Sequence, residues 1–152
     1  MKKIMIALAF AGVLALAGCE NEKTAQSDKL NIIFETDIGN DVDDAMALDM
    51  LYKYIDQDKI NVLAITINKD GLAPAEFMDI MNTWYGYPDI PIGIIRNGAD
   101  CETDAVNYAK AVVDLKNEDG TPKFARSHED YDKFPDAHIL YRKILSEMPD
   151  NS

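Results

Sequence analysis

Leu30-Asn-Ile-Ile-Phe-Glu-Thr-Asp37-Ile-Gly-Asn-Asp41-Val-Asp43-Asp44-Ala-Met-Ala-Leu48 changes its hydrophobic period halfway along. Leu30 to Thr36 is a near-continuous apolar run, the pattern of a strand buried on both faces. From Asp44 to Ile55 the apolar positions Ala45, Leu48, Leu51, Tyr52 and Ile55 recur at intervals of three and four, which is one stripe of a helix. Between strand and helix stand four carboxylates within eight residues. A strand feeding a helix through a short polar loop is the opening of an α/β unit, and the rest of the chain repeats it.

Val62 to Ile67 reads as a second buried strand. Ala73 to Trp84 reads as a second helix, with Phe77, Ile80, Met81 and Trp84 on one face and a stop at Gly86 and Pro88. Ile92 to Ile95 is a third short strand and Thr103 to Leu115 a third helix. Asn117 to Gly120 is a turn, the stretch to Pro135 a loop, and Ala137 to Met148 a last helix. Alternating strands and helices imply right-handed crossovers, hence an open, mostly parallel Rossmann-like sheet with helices on both faces. Ligands of such sheets bind at the carboxyl ends of the strands, here after Thr36, Ile67 and Ile95. The residues after the first 29 are enough for one modest domain and too few for two.

The first 29 residues have a different character. Lys2 and Lys3 precede an uncharged apolar run from Ile4 to Leu16, which is short for a membrane span and suited to a signal-peptide core. Leu16-Ala-Gly-Cys19 resembles the bacterial lipobox, which implies a signal peptide over residues 1–19 and lipidation of Cys19. Residues 20–29 are polar and without apolar period, as in a flexible tether. Removing the leader takes Lys2 and Lys3 from the 15 Lys+Arg and nothing from the 27 Asp+Glu, so the formal charge moves from −12 to −14. An acidic body repels nucleic acid and anionic lipid, so contact with a membrane is expected only through the lipid. Cys101 is the one other cysteine, and no internal disulfide framework is expected. The location implied is the cell envelope, anchored to a bacterial membrane.

The acidic loop has two readings. Asp41 as N-cap, with Asp43 and Asp44 in the first turn, is ordinary helix capping. That leaves Asp37 at the strand tip unexplained, and this many carboxylates in one loop repel one another unless a cation neutralises them. Oxygen donors without Cys or His favour Ca²⁺ or Mg²⁺ over zinc. An EF-hand does not fit. Counting from Asp37, the sixth place is Val42 where glycine is required, and no glutamate stands at the twelfth.

The stretch from Thr36 through Asp-Ile-Gly-Asn-Asp-Val-Asp-Asp-Ala-Met-Ala-Leu48 resembles the N-terminal signature of the inosine-uridine-preferring nucleoside hydrolases. The similarity extends through Leu63-Ala-Ile-Thr-Ile67, Trp84-Tyr-Gly-Tyr-Pro-Asp-Ile-Pro-Ile-Gly93 and Gly98-Ala-Asp100. The resemblance implies hydrolysis of the N-glycosidic bond of ribonucleosides to base and ribose. It makes Asp37 a calcium ligand and the general base towards a calcium-bound water, Asp44 a second ligand, and Asp43 the partner of the ribose hydroxyls. Asn68, or Asp70, would be the polar loop residue after the second strand, although Asn68-Lys-Asp-Gly71 also reads as a turn. Asp41 is an extra acid in this pattern, a further ligand or an N-cap. Glu35 stands where the family has the first aspartate of its Asp-x-Asp. The partner is then a nucleoside or related riboside, and a homo-oligomer of the full-length protein is compatible with the reading. The family's domain is longer than this, so the resemblance makes residues 30–152 the N-terminal portion of such a domain, truncated after its third strand-helix unit. Base contacts and the remaining calcium ligands would come from later strands, so residues 20–152 alone are expected to lack turnover.

His128, in a polar loop, and His138, at the start of a helical stripe, are not expected to be catalytic. Two rival functions share the acidic loop. One is a non-catalytic, calcium-dependent sugar- or nucleoside-binding lipoprotein. The other is a phosphatase of the haloacid-dehalogenase type, disfavoured because Glu35 occupies the place of its aspartate nucleophile.

Overall fold

The computed structural model describes residues 29–96 and 107–149. Cys19, the leader and Cys101 lie outside the described residues. Three parallel strands form one sheet in the order β1 (Leu30–Thr36), β2 (Ile60–Ile67), β3 (Ile92–Ile94). Helix α1 (Asp43–Asp56) joins β1 to β2, and α2 (Ala73–Tyr85) joins β2 to β3. After β3 come α3 (Tyr108–Val113), a 3₁₀ turn at Tyr131–Lys133 and α4 (Ala137–Glu147). This is the open α/β sheet expected from the alternation of periods.

The core lies on one face of the sheet. Ile65 and Ile67 of β2 and Ile92 and Ile94 of β3 meet Leu48 and Tyr52 of α1 and Phe77 and Met78 of α2. Ala109 of α3 closes the same cluster. Strand residues of opposite parity face α4. Thr66 pairs with Gly93 across β2 and β3, and a Cβ at Gly93 would stand 2.9 Å from the Ala137 Cα and 3.0 Å from Leu140 Cδ2. Glycine is required there because α4 lies against the backbone.

Several expectations are corrected. β1 is not buried on both faces: Leu30 is 61% exposed and Ile32, Ile33 and Phe34 are half-buried. Among the described residues it lies at the edge of the sheet, with β2 as its only neighbour. Its register with β2 slips between Ile32 and Ile33, where Leu63 is the extra residue. Asp41 is not the N-cap of α1. Val42 holds that place in a helical conformation (φ −82°, ψ −7°) with no side-chain cap, so the chain enters the helix one residue later than capping by Asp41 requires. Trp84, placed in the apolar stripe of α2, is 72% exposed, edge-on to Phe124 at 6.2 Å. Asp79 and Asn82 are fully buried in the same helix instead. The third helix begins at Tyr108 and ends at Val113, inside the expected Thr103–Leu115, of which 103–106 lie outside the described residues.

Buried polar groups of α2 are tied down by partners distant in sequence. The Tyr52 hydroxyl donates to Asn82 Oδ1 at 2.6 Å, and the Tyr52 ring stacks on Tyr85 with centroids 4.3 Å apart. Burial, with the Tyr85 phenol beside it, holds the Tyr52 phenol far above its ordinary range. Asp79 Oδ2 accepts from the backbone N–H groups of Ser127 and His128, each at 3.0 Å, and from the Tyr131 hydroxyl at 2.9 Å. Its Oδ1 takes the Ser127 hydroxyl and faces His128 Nδ1 at 3.0 Å.

Candidate functional site

The acidic loop sits at the carboxyl end of β1, where an open α/β sheet puts its ligands. Three internal contacts shape it. The Thr36 hydroxyl, 3% exposed, accepts from the Ile38 backbone N–H at 3.1 Å, which turns the chain off the strand. Ile38 is fully buried and plugs the loop into the core. Gly39 has φ +146°, a conformation that side chains rarely adopt, and lies under the stem of Lys69, with Lys69 Cδ 3.6 Å from where a Cβ would be. Lys69 is 4% exposed, and its ammonium bonds the Asn40 side chain, bringing the loop after β2 against the loop after β1.

The acids on this frame divide. Asp43 and Asp44 lie in the first turn of α1. Burial raises the Asp44 carboxyl above its ordinary range, and the neighbouring Asp37 and Asp43 carboxylates push it further, against the lowering effect of the Thr36 hydroxyl. Asp37 and Asp44 therefore stand as an adjoining pair with Asp43 beside them. Asp41 is exposed and caps nothing. Tyr108 overlooks the pair: burial, together with the Asp44, Asp43 and Asp37 charges, pushes its phenol up to about 12. The backbone N–H of Gly39 favours the ionised phenol, yet its geometry falls short of a hydrogen bond, and the Tyr108 hydroxyl is buried without a partner.

Asn68 is not with the acids. Its amide donates to Glu35 Oε1 at 3.4 Å, and Glu35 pairs with Thr66 in register, so both belong to the face opposite Ile65 and Ile67. Asp70 makes the turn that its neighbours suggested, accepting from the Gly71 N–H at 2.9 Å with Gly71 at φ +95°. The histidines also separate. His128 serves Asp79. Ser127 Oγ, His128 and Asp79 form no hydrolytic triad, because the serine and the carboxylate both meet Nδ1, the serine at 2.9 Å. His138 is exposed on α4.

In kind, the donors of the acidic loop fit a hard cation: carboxylate oxygens, with no Cys or His among them. Asp37 and Asp44 would hold it, with Asp43 adjoining. In number they fall short of a full shell, since among the described residues no three acidic, His or Cys side chains converge on one point. Among the described residues, too, no helix is long and apolar enough to cross a membrane.

Sequence reasoning missed Asp79, Lys69 and Tyr108. The first signal was available, an acid at the centre of an apolar helical stripe. Nothing local marks the other two. Comparison with known proteins found no matching family model, no matching curated protein and no matching solved structure.

Proposed function

We propose that the chain belongs to an enzyme that hydrolyses the N-glycosidic bond of ribonucleosides, with the acidic loop after β1 as its catalytic edge. The observation that carries this reading is the Asp37–Asp44 pair: two carboxylates held side by side at a strand tip, Asp44 raised first by burial and further by Asp37 beside it. Such a pair costs stability on its own and is useful where positive charge is to be held. Asp37 and Asp44 would hold calcium, which would supply the positive charge that offsets their repulsion and would help to orient the sugar diol. Asp37, exposed at the tip, takes a proton from the attacking water as its oxygen bonds to the anomeric carbon. The C–N bond breaks and its electron pair leaves with the base. Asp43, at the start of α1, accepts hydrogen bonds from the ribose hydroxyls. The nearby carboxylates stabilise the positive charge that develops on the sugar. The cell-envelope location, with a lipid on Cys19 as anchor, is part of the same proposal.

A binding-only reading, a calcium-dependent sugar- or nucleoside-binding lipoprotein, rests on the same acidic loop. Ribose release from inosine and uridine, measured on the full-length protein with calcium and with a chelator, separates the two. Calcium-dependent release that Asp37→Asn abolishes supports hydrolysis. Saturable nucleoside binding without release supports the rival.

A further inference from the structure

Backbone groups of a strand alternate between its two sides, and the two ends of β1 show which residues face which way. The Leu30 N–H donates to the Lys59 carbonyl at 3.1 Å, and the Thr36 carbonyl accepts from the Asn68 N–H at 3.0 Å. Even-numbered residues of β1 therefore turn their backbone to β2, and Asn31, Ile33 and Glu35 turn their N–H and C=O groups outward. Among the described residues no strand pairs with that side. An unpaired edge is usually blunted by lysine or proline, and neither stands between Leu30 and Thr36. Ile32, Ile33 and Phe34 are only half-buried, so each has apolar surface left to cover.

The strand matches a second copy of itself run antiparallel. A twofold axis through Ile33 overlaps all seven of its residues. In that register the outward residues meet as hydrogen-bonded pairs, each exchanging two backbone bonds: Ile33 with the partner's Ile33, Asn31 with the partner's Glu35, and Glu35 with the partner's Asn31. Side chains directly opposite one another are in contact range. Asn31 Oδ1 accepts from Asn61 Nδ2 at 3.0 Å, and the amide has its own N–H groups to give to the partner's Glu35 carboxylate. The two Ile33 side chains meet on the axis, and Ile32 meets the partner's Phe34, apolar on apolar. An axis through Ile32 or Phe34 instead sets Ile33 against the partner's Asn31 or Glu35 and shortens the overlap. Only the register centred on Ile33 makes the strand complementary to itself along its whole length, as an isologous interface requires.

We propose that two copies of this chain join edge to edge through β1, about a twofold axis at Ile33, into one six-stranded sheet. The pairing uses no residue of the acidic loop and stands whether or not that loop takes calcium.

Sedimentation equilibrium of the purified chain tests it, with every form carrying Cys19→Ser and Cys101→Ser so that neither lipid nor a native thiol joins the copies. A dimer is expected. Ile33→Lys sets two ammonium groups against each other on the axis and should give a monomer, with its circular-dichroism melt showing that it folds. Cross-linking reads the register. Residues of a hydrogen-bonded antiparallel pair have Cα atoms about 5.5 Å apart, within disulfide range. Ile33→Cys should therefore oxidise to a covalent dimer, whereas Asn31→Cys, about 13 Å from its own copy along the strand, should not. The proposal is overturned if the chain sediments as a monomer, if Ile33→Lys stays dimeric, or if Asn31→Cys cross-links as readily as Ile33→Cys. Should Ile33→Lys fail to fold, the two cysteine variants decide alone.

Discussion

Asp79→Ala and Asp79→Asn should differ sharply in stability, although both remove the same charge. The carboxylate is fully buried in α2 and holds the segment from Ser127 to Tyr131, some fifty residues later in sequence. Oδ2 takes two backbone N–H groups and the Tyr131 hydroxyl, and Oδ1 takes the Ser127 hydroxyl and faces His128 Nδ1. In Asp79→Ala the two N–H groups lose an ionised acceptor, a bond worth about 1.5–3 kcal/mol each. The other losses are milder. Tyr131 keeps the His128 carbonyl at 3.1 Å, and the Ser127 and His128 side chains are exposed enough to turn to water. Allowing for rehydration of this loop, the cost is about 3 kcal/mol, or about 6–12 °C in melting temperature for a chain of this size. Asn at the same place can keep its oxygen on the two N–H groups and point its amide at Ser127 Oγ and His128 Nδ1, both able to accept, so its cost is about 1 kcal/mol. Burial alone would push the Asp79 carboxyl up, but the bonds from Ser127, His128 and Tyr131 outweigh it and hold it below the ordinary range. Its contribution is therefore present above the ordinary carboxylate pKa and lost as pH falls through the lowered one. The gap between wild type and Asp79→Asn should narrow below about pH 4. Urea and thermal melts followed by circular dichroism at several pH values measure this. An Asp79→Asn as unstable as Asp79→Ala, or an Asp79→Ala within 1 kcal/mol of wild type, refutes the reasoning.

Asp44→Asn should raise the melting temperature of the calcium-free chain at neutral pH. The raised carboxyl favours the folded state while protonated, and that advantage is lost as pH rises through its folded pKa; melts of both forms between pH 4 and 8 check it. Gly93→Ala should cost about 1–3 kcal/mol by forcing α4 off the sheet, since the added methyl meets backbone. Denaturant melts measure that cost, and a neutral substitution would mean that α4 is not packed as described. Cys19→Ser should move the protein from the membrane fraction to the soluble one, as an acidic body offers anionic lipid no other hold; persistence after a salt wash would contradict the lipid anchor.

The segment from Leu30 to Ile55 was legible because strand period, loop and helix period all declare themselves within one stretch of chain. Leu48 and Tyr52 are buried where the stripe puts them. The exposure of β1 was not legible, since an apolar run does not say whether a strand is central or at an edge. Trp84 misled because the stripe of α2 continues into its last turn, where Trp84 stays exposed and meets Phe124 of a loop edge-on. Asp79 hid for the opposite reason: its partners are supplied by a segment that reads only as loop. In the candidate site, Asp37, Asp43 and Asp44 adjoin because two of them share a helix turn and the third directly follows the strand before it. Asn68 and Glu35 fall away from them because side chains alternate across a sheet, which residue spacing between different strands does not reveal. Lys69 reaches Asn40 across the loop for the same kind of reason, a contact made only by folding.

The central claim is that Asp37 and Asp44 are placed together to share a cation. A calorimetric titration of calcium into the protein, without substrate, reads that loop itself. The account predicts one saturable site per chain, lost in Asp44→Ala and weakened in Asp37→Asn, with Asp41→Asn binding like wild type. No saturable calcium binding, or binding that survives Asp44→Ala unchanged, would contradict it.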